Sequence, residues 1–183
     1  MFDELASRSG LKLELRQLTR SDVESVRQFF DNLSEKSYRC FQAHALDEET
    51  VTALMERSEL EKDLVFGAFD EERMVAYFFL WYYDTPIPIL GVGVDDDYQG
   101  VGFGEAAMNV LIDTADANGR EGIVLTVVPE NYRAVALYTK MGFVDFGPTE
   151  NLTGEGEITI EHKMFLSLQP GAYPINIEYA PPL

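Results

Sequence analysis

Three runs rich in β-branched and aromatic residues follow one another at 64–69, 75–83 and 89–94. Only "DEER" and the Pro-containing "DTPIP" join them. A parallel crossover needs a connection of about a dozen residues, so these runs fold as an antiparallel meander. Further on, 123–128 is nearly continuous in apolar residues and reads as a central strand buried on both faces. Between the two, 105–117 has helical spacing, with Ala107, Met108, Leu111, Ile112 and Ala115 inward and Asn118-Gly119 ending it.

The flanking segments extend this pattern. Leu11, Leu13 and Leu15 alternate with polar residues, as in a half-buried strand. Ser21 and Glu24 match a capping box for a helix carrying Val23, Val26, Phe30 and Leu33. After the linker "SEKSYRCFQAHAL", Asp47 caps a second helix with Val51, Leu54 and Met55. A short helix at 133–141, ended by Gly142, precedes final strands at 143–146 and 157–166. His162 is expected as a hydrogen-bonded core histidine, on a face with Ile158, Ile160 and Met164.

The order is β-α-α-β-β-β-α-β-α-β-β, an α/β (α+β) arrangement: a mixed, mainly antiparallel central sheet flanked by helices. It divides into an N-terminal extension (1–10), one domain (11–168) and a Pro-rich C-terminal tail (169–183). In the tail, Ile175, Ile177 and Tyr179 alternate as a further edge strand would.

Charge narrows the partners. The 32 acids against 14 bases give a net charge of −18, which repels nucleic acid and anionic membranes and attracts cationic solutes. No stretch approaches the ~20 apolar residues of a membrane span, and a secretory leader is not expected at the acidic N-terminus. One cysteine, Cys40, rules out an internal disulfide and a metal cluster. A lone thiol reads as cytoplasmic and as packing.

The chemistry concentrates in "GVGVDDDYQGVGFGEAAM", 91–108. Glycines at a helix entrance turn backbone N–H groups toward a ligand, and the helix N-terminus adds about half a positive charge. An acidic chain can thus hold a phosphate without a basic side chain. No Gly-Lys-Ser/Thr follows, which excludes a Walker loop. Gly102-x-Gly104-x-x-Ala107 fits a dinucleotide fingerprint in spacing. Seven residues, Asp95 to Val101, nevertheless separate it from its strand, and a meander rather than a βαβ unit precedes it. A flexible turn that merely caps a helix is the remaining alternative.

Gln-x-x-Gly-x-Gly at 99–104 resembles the pyrophosphate-binding motif of the GCN5-related N-acetyltransferase (GNAT) superfamily. "PENYRAVALYTKMGF" (129–143) resembles that family's second acetyl-CoA motif, at the family spacing and within its strand order. The resemblance implies acetyl-CoA as cosubstrate and transfer of its acetyl group to a primary amine of a small molecule or peptide. It also implies that loop amides of Gln99, Gly100, Val101, Gly102, Phe103 and Gly104 bind pyrophosphate. Val92, Gly93 and Val94 would run beside pantetheine, in a strand splayed at a bulge, while Asn131 and Arg133 would contact the cofactor. Tyr138 matches the tyrosine that protonates the departing thiolate. For the base, Asp95 is the first choice and Glu130 the second. His44, Tyr38, Arg39 and Phe41 fall where relatives shape the acceptor pocket, and a homodimer is common among relatives. A non-catalytic acyl-CoA-binding module and a dinucleotide-binding domain stand as alternatives.

Overall fold

A computed structural model describes residues 4–174 and 182. The expected meander forms β3 (Leu64–Asp70), β4 (Arg73–Trp81) and β5 (Ile89–Val94), paired antiparallel. Side chains alternate across β4. Tyr77, Phe79 and Trp81 enter one core, while Ala76, Phe78 and Leu80 enter the other.

Before the meander lie β1 (Glu4–Ala6), β2 (Lys12–Gln17), α1 (Val23–Asn32), α2 (Glu35–Cys40) and α3 (Glu48–Glu59). After it come α4 (Phe103–Ala117), β6 (Gly122–Val127), α5 (Tyr132–Lys140), β7 (Val144–Leu152) and β8 (Ile158–Ser167). The strands make one sheet in the order β1-β2-β3-β4-β5-β6-β8-β7. Every pairing is antiparallel except β5 with β6.

Residues of α4 and α5 pack on one face of the sheet, and residues of α1 and α3 on the other. The inward stripe of α4, Ala107, Met108, Leu111 and Ala115, is fully buried. Burying a side chain such as Met or Leu contributes about 1.5–3 kcal/mol, which fixes the helix against β5. Gly119, at φ 70°, then turns the chain out of the helix.

Several expectations shift. Part of the segment before residue 11 joins the sheet: β1 pairs with β2, and Leu5 is buried. The helix-start box lies two residues early, where the Asp22 carboxylate accepts the Thr19 N–H at 2.9 Å. The linker holds a helix, α2, because Ser34 caps it by accepting the Ser37 N–H. α4 begins at Phe103, two residues sooner than expected.

β7 runs to Leu152, well past 146, with a register shift between Asp145 and Pro148. On β8, Ile158 and Ile160 are exposed and His162 is only half-buried, bonded to Asp145 at 2.7 Å. β6 pairs with β8 no further than His162, so these residues extend past the sheet's centre. The alternation expected at 175–179 lies outside the described residues. Among the described residues no helix is long and apolar enough to cross a membrane.

Candidate active site

β5 and β6 are parallel neighbours that pair at a single position, Ile89 with Val124. Beyond it the strands diverge, and the β6-facing edge of Val92, Gly93 and Val94 has no strand partner. The gap is a cleft of about 830 Å³, within the range of small-molecule sites. The splay occurs without the expected bulge, since β4 and β5 stay in unbroken register from Trp81–Ile89 to Ala76–Val94. The strand glycines have another cause. A Cβ on Gly91 would lie 2.2 Å from the Phe79 ring, and one on Gly93 would lie 2.4 Å from Phe41.

At one end of the cleft the chain leaves β5, makes a short turn and enters α4. Gly100 (φ 82°) and Gly102 (φ 107°) take left-handed conformations that other residues rarely adopt. Gly102 is the N-cap of α4, so the helix's first amides point into the loop. Of the loop, Gln99, Gly100, Gly102 and Gly104 line the cleft. Val101 points outward and its carbonyl accepts the Arg8 N–H, while the Phe103 side chain is buried. Neither of those two lines the cleft. Gln99 ties the loop together: its amide donates to the Val94 carbonyl and Ser37 Oγ, and its Oε1 accepts from Arg133.

Basic side chains gather here despite the acidic total. Arg8 and Lys140 both pair with Glu105, in the first turn of α4. Arg8 comes from the segment that sequence reading set aside, and nothing in its spacing marks it. The loop, the amides, the free strand edge and this basic rim fit a phosphate-bearing cosubstrate with an extended amide arm.

Tyr138 lines the middle of the cleft and is 7% exposed. Burial pushes its phenol well above the ordinary value, and the nearby Glu161 and Cys40 add to the push. Its hydroxyl has no hydrogen-bond partner among the described residues. Asn131 lines the cleft and also caps α5, accepting the Ala134 N–H at 3.3 Å. Glu130 lines the same wall from an exposed position.

Asp95 has both carboxylate oxygens committed to the turn and to Arg73. It is 2% exposed and does not line the cleft. Arg73 holds its Oδ2 at 2.6 Å, and the Asp97 N–H holds its Oδ1 at 3.0 Å. Asp96 accepts from the Ser34 N–H, the Ser34 hydroxyl and the Ser37 hydroxyl. Burial raises its pKa, and those hydrogen bonds outweigh burial, leaving it below the usual carboxylate range. The aspartates of 95–97 turn the chain and fasten it to α2.

The far end of the cleft is built from the last residues of α2, the segment after it and the β7–β8 hairpin. Arg39, Cys40 and Phe41 line it, whereas Tyr38 does not: it packs edge-on against Phe30 and donates to Glu155 at 3.1 Å. His44 is not in the cleft. It is 2% exposed, bonded to Ala45 O and Tyr77 Oη and packed against Phe30 and Trp81. Burial drops its pKa to about 4, so it is neutral at pH 7.

The hairpin is fastened above the cleft, with the Gly154 N–H donating to the Gln42 carbonyl at 2.8 Å. A Cβ on Gly154 would sit 2.2 Å from the His44 carbonyl oxygen, so only glycine permits this closure. Inside it, Glu161 lines the cleft at 8% exposure, beside Thr159 and across from Asn151. Sequence reading missed Glu161, because the apolar Ile158, Ile160 and Met164 marked the opposite face of β8 as inward.

Residues 25–143 match the Acetyltransferase (GNAT) family. The chain is 33% identical over 78 residues to the uncharacterized N-acetyltransferase YobR of Bacillus subtilis, covering 43% of this chain and 32% of that one. It is 31% identical over 83 residues to the [ribosomal protein bS18]-alanine N-acetyltransferase of Escherichia coli, covering 45% and 56%. The match thus spans about a third of the first relative and just over half of the second. In fold it resembles YncA of Salmonella typhimurium, solved with acetyl-CoA, with a TM-score of 0.70 and 17% identity over 90% of this chain and 99% of that one. The chain belongs to the acetyltransferase (GNAT) family.

Proposed function

We propose that the protein transfers the acetyl group of acetyl-CoA to a primary amine of a small molecule or peptide by direct attack. The observation that carries this reading is the single-point pairing of β5 with β6, which opens a cleft from the glycine loop to the Tyr138 hydroxyl. The loop amides of 99–104, with Asn131 and Arg133, would hold the phosphates. The free edge of Val92, Gly93 and Val94 would bind the pantetheine amides. Acetyl-CoA would supply an activated thioester.

Tyr138 would give its proton to the leaving sulfur. A thiol has an unperturbed pKa near 8.5, so a neutral phenol at the sulfur eases its departure. The upward push on the Tyr138 phenol keeps that proton in place at neutral pH. The acceptor enters from the opposite end, between Phe41 and the hairpin. The acidic surface supports a cationic acceptor, and the name of the Escherichia coli relative supports a peptide N-terminal amine. A homodimer and a cytoplasmic location belong to the same proposal, on the strength of the family resemblance and the single cysteine. Light scattering and cell fractionation test them.

The fold argues against the dinucleotide reading, because the sheet has one parallel pair and a short helical turn separates strand from glycines. A thermal-shift screen tests the cofactor. Acetyl-CoA at about 100 times its Kd should raise Tm by about 5–10 °C, and NAD should not. Binding without CoA release across a broad amine panel would favour the non-catalytic module.

A further inference from the structure

Glu161 differs in one respect from the other buried carboxylates near the cleft. Both of its hydrogen bonds fall on Oε1, from Asn151 Nδ2 at 3.0 Å and Thr159 Oγ1 at 3.2 Å. Oε2 has no partner among the described residues. It is also not sealed from solvent, unlike the unpartnered Trp81 Nε1 and Arg120 Nε. No lysine, arginine or histidine among the described residues forms an ion pair with Glu161. A buried carboxylate with one open oxygen and no cation is costly unless a ligand completes it.

The surroundings say what that ligand is. Glu161 opens onto the far end of the cleft, between Cys40 of α2 and Tyr138 of α5. Asn151 and Thr159 are neutral donors that hold the carboxylate in place without neutralising it. The fastening of Gly154 to Gln42 fixes the hairpin, and so the carboxylate, over the cleft.

We propose that Oε2 of Glu161 binds the ammonium group of the acceptor and takes its proton. This rests on the acetyltransferase reading of the same cleft. The proton balance is complete with two side chains. Glu161 takes one proton from the ammonium, which frees the lone pair that forms the C–N bond to the acetyl carbon. As the C–S bond breaks, Tyr138 gives its proton to sulfur and regains one from the new amide nitrogen. Glu161 then returns its proton to water, leaving one amide, one thiol and one released proton.

Two readouts on the intact protein test the assignment, and the first needs no acetyl transfer. Cys40 is the only cysteine and lines the same end of the cleft. Aminoethyl methanethiosulfonate carries an ammonium group, and methyl methanethiosulfonate is its neutral counterpart. Wild type should react about tenfold faster with the former, and Glu161→Gln should reduce that preference to about twofold. Glu14→Gln, on β2 and outside the cleft lining, should retain it. No preference in wild type, or a preference that survives Glu161→Gln, overturns the proposal.

The second readout is kcat/KM for a short peptide with a free N-terminal alanine. Glu161→Gln should lose about 10²- to 10³-fold with acetyl-CoA affinity and Tm unchanged. A loss under about threefold overturns the proton-accepting role. A Glu161-dependent charge preference in a protein that acetylates no amine would uphold the ammonium site and overturn the transferase reading instead.

Discussion

Acids from two segments border the cleft, those of the turn at 95–97 and Glu161 of β8, and they have opposite fates. In the turn, both oxygens of Asp95 are occupied, one by the Arg73 guanidinium and one by a backbone amide. The more distant Asp63 is as fully committed. It is completely buried and takes Arg57 and the Tyr82 N–H. On β8, Glu161 receives two neutral donors on one oxygen and keeps the other open. A paired buried carboxylate stabilises or fixes the fold, whereas an unpaired one retains affinity for a cation. Partners rather than acidity separate the fastening from the candidate site.

The largest test of this contrast is Glu161→Gln, with its expected 10²- to 10³-fold loss for an alanyl peptide. The next tests the packing behind the cleft. Burial holds the folded pKa of His44 near 4, below the ordinary 6.5. The unfolded chain therefore binds a proton below about pH 6.5 that the folded chain refuses until about pH 4. Stability from this group is complete above that window and is lost as pH falls through it, by roughly 3 kcal/mol. Urea unfolding at pH 7 and pH 4.5 measures the loss, and His44→Gln should remove this component. An identical pH response in the variant would show that His44 is not its source.

Tyr138→Phe should lower kcat about 30-fold while leaving acetyl-CoA affinity within about twofold. Steady-state rates and calorimetry separate the two effects, and unchanged kcat would remove Tyr138 as the acid. The smallest effect belongs to the turn. Asp95→Asn should cost about 1–2 kcal/mol, because Arg73 is nearly half exposed and its pairing is partly screened. kcat per folded molecule should change by less than about threefold. A large loss of turnover at full stability would return Asp95 to the chemistry and collapse the contrast.

Much of this molecule was legible in its residues. The meander, the helix of Ala107, Met108 and Leu111, and the glycine loop follow from short turns, 3.6-residue spacing and backbone freedom. These are local properties, and local chemistry suffices to read them. The motif marked Tyr138 for the cleft that it lines, although its apolar helix face alone would have read as packing.

The errors share a cause. Asp95 looked available because its partner, Arg73, is 22 residues away. His44 looked like a pocket residue because its burial depends on Phe30, Tyr77 and Trp81, drawn from α1 and β4. His162 and Glu161 exchanged roles because β8 extends past β6, leaving the apolar Ile158 and Ile160 in water and turning the alternate face over the cleft.

Sequence alone determined most of the elements, their order and the glycine loop, since each is set by neighbours within a few positions. Only the tertiary structure decided which carboxylate is spent on the fold and which stays open. That outcome depends on which distant side chain arrives first at each oxygen, a matter of strand register and helix docking.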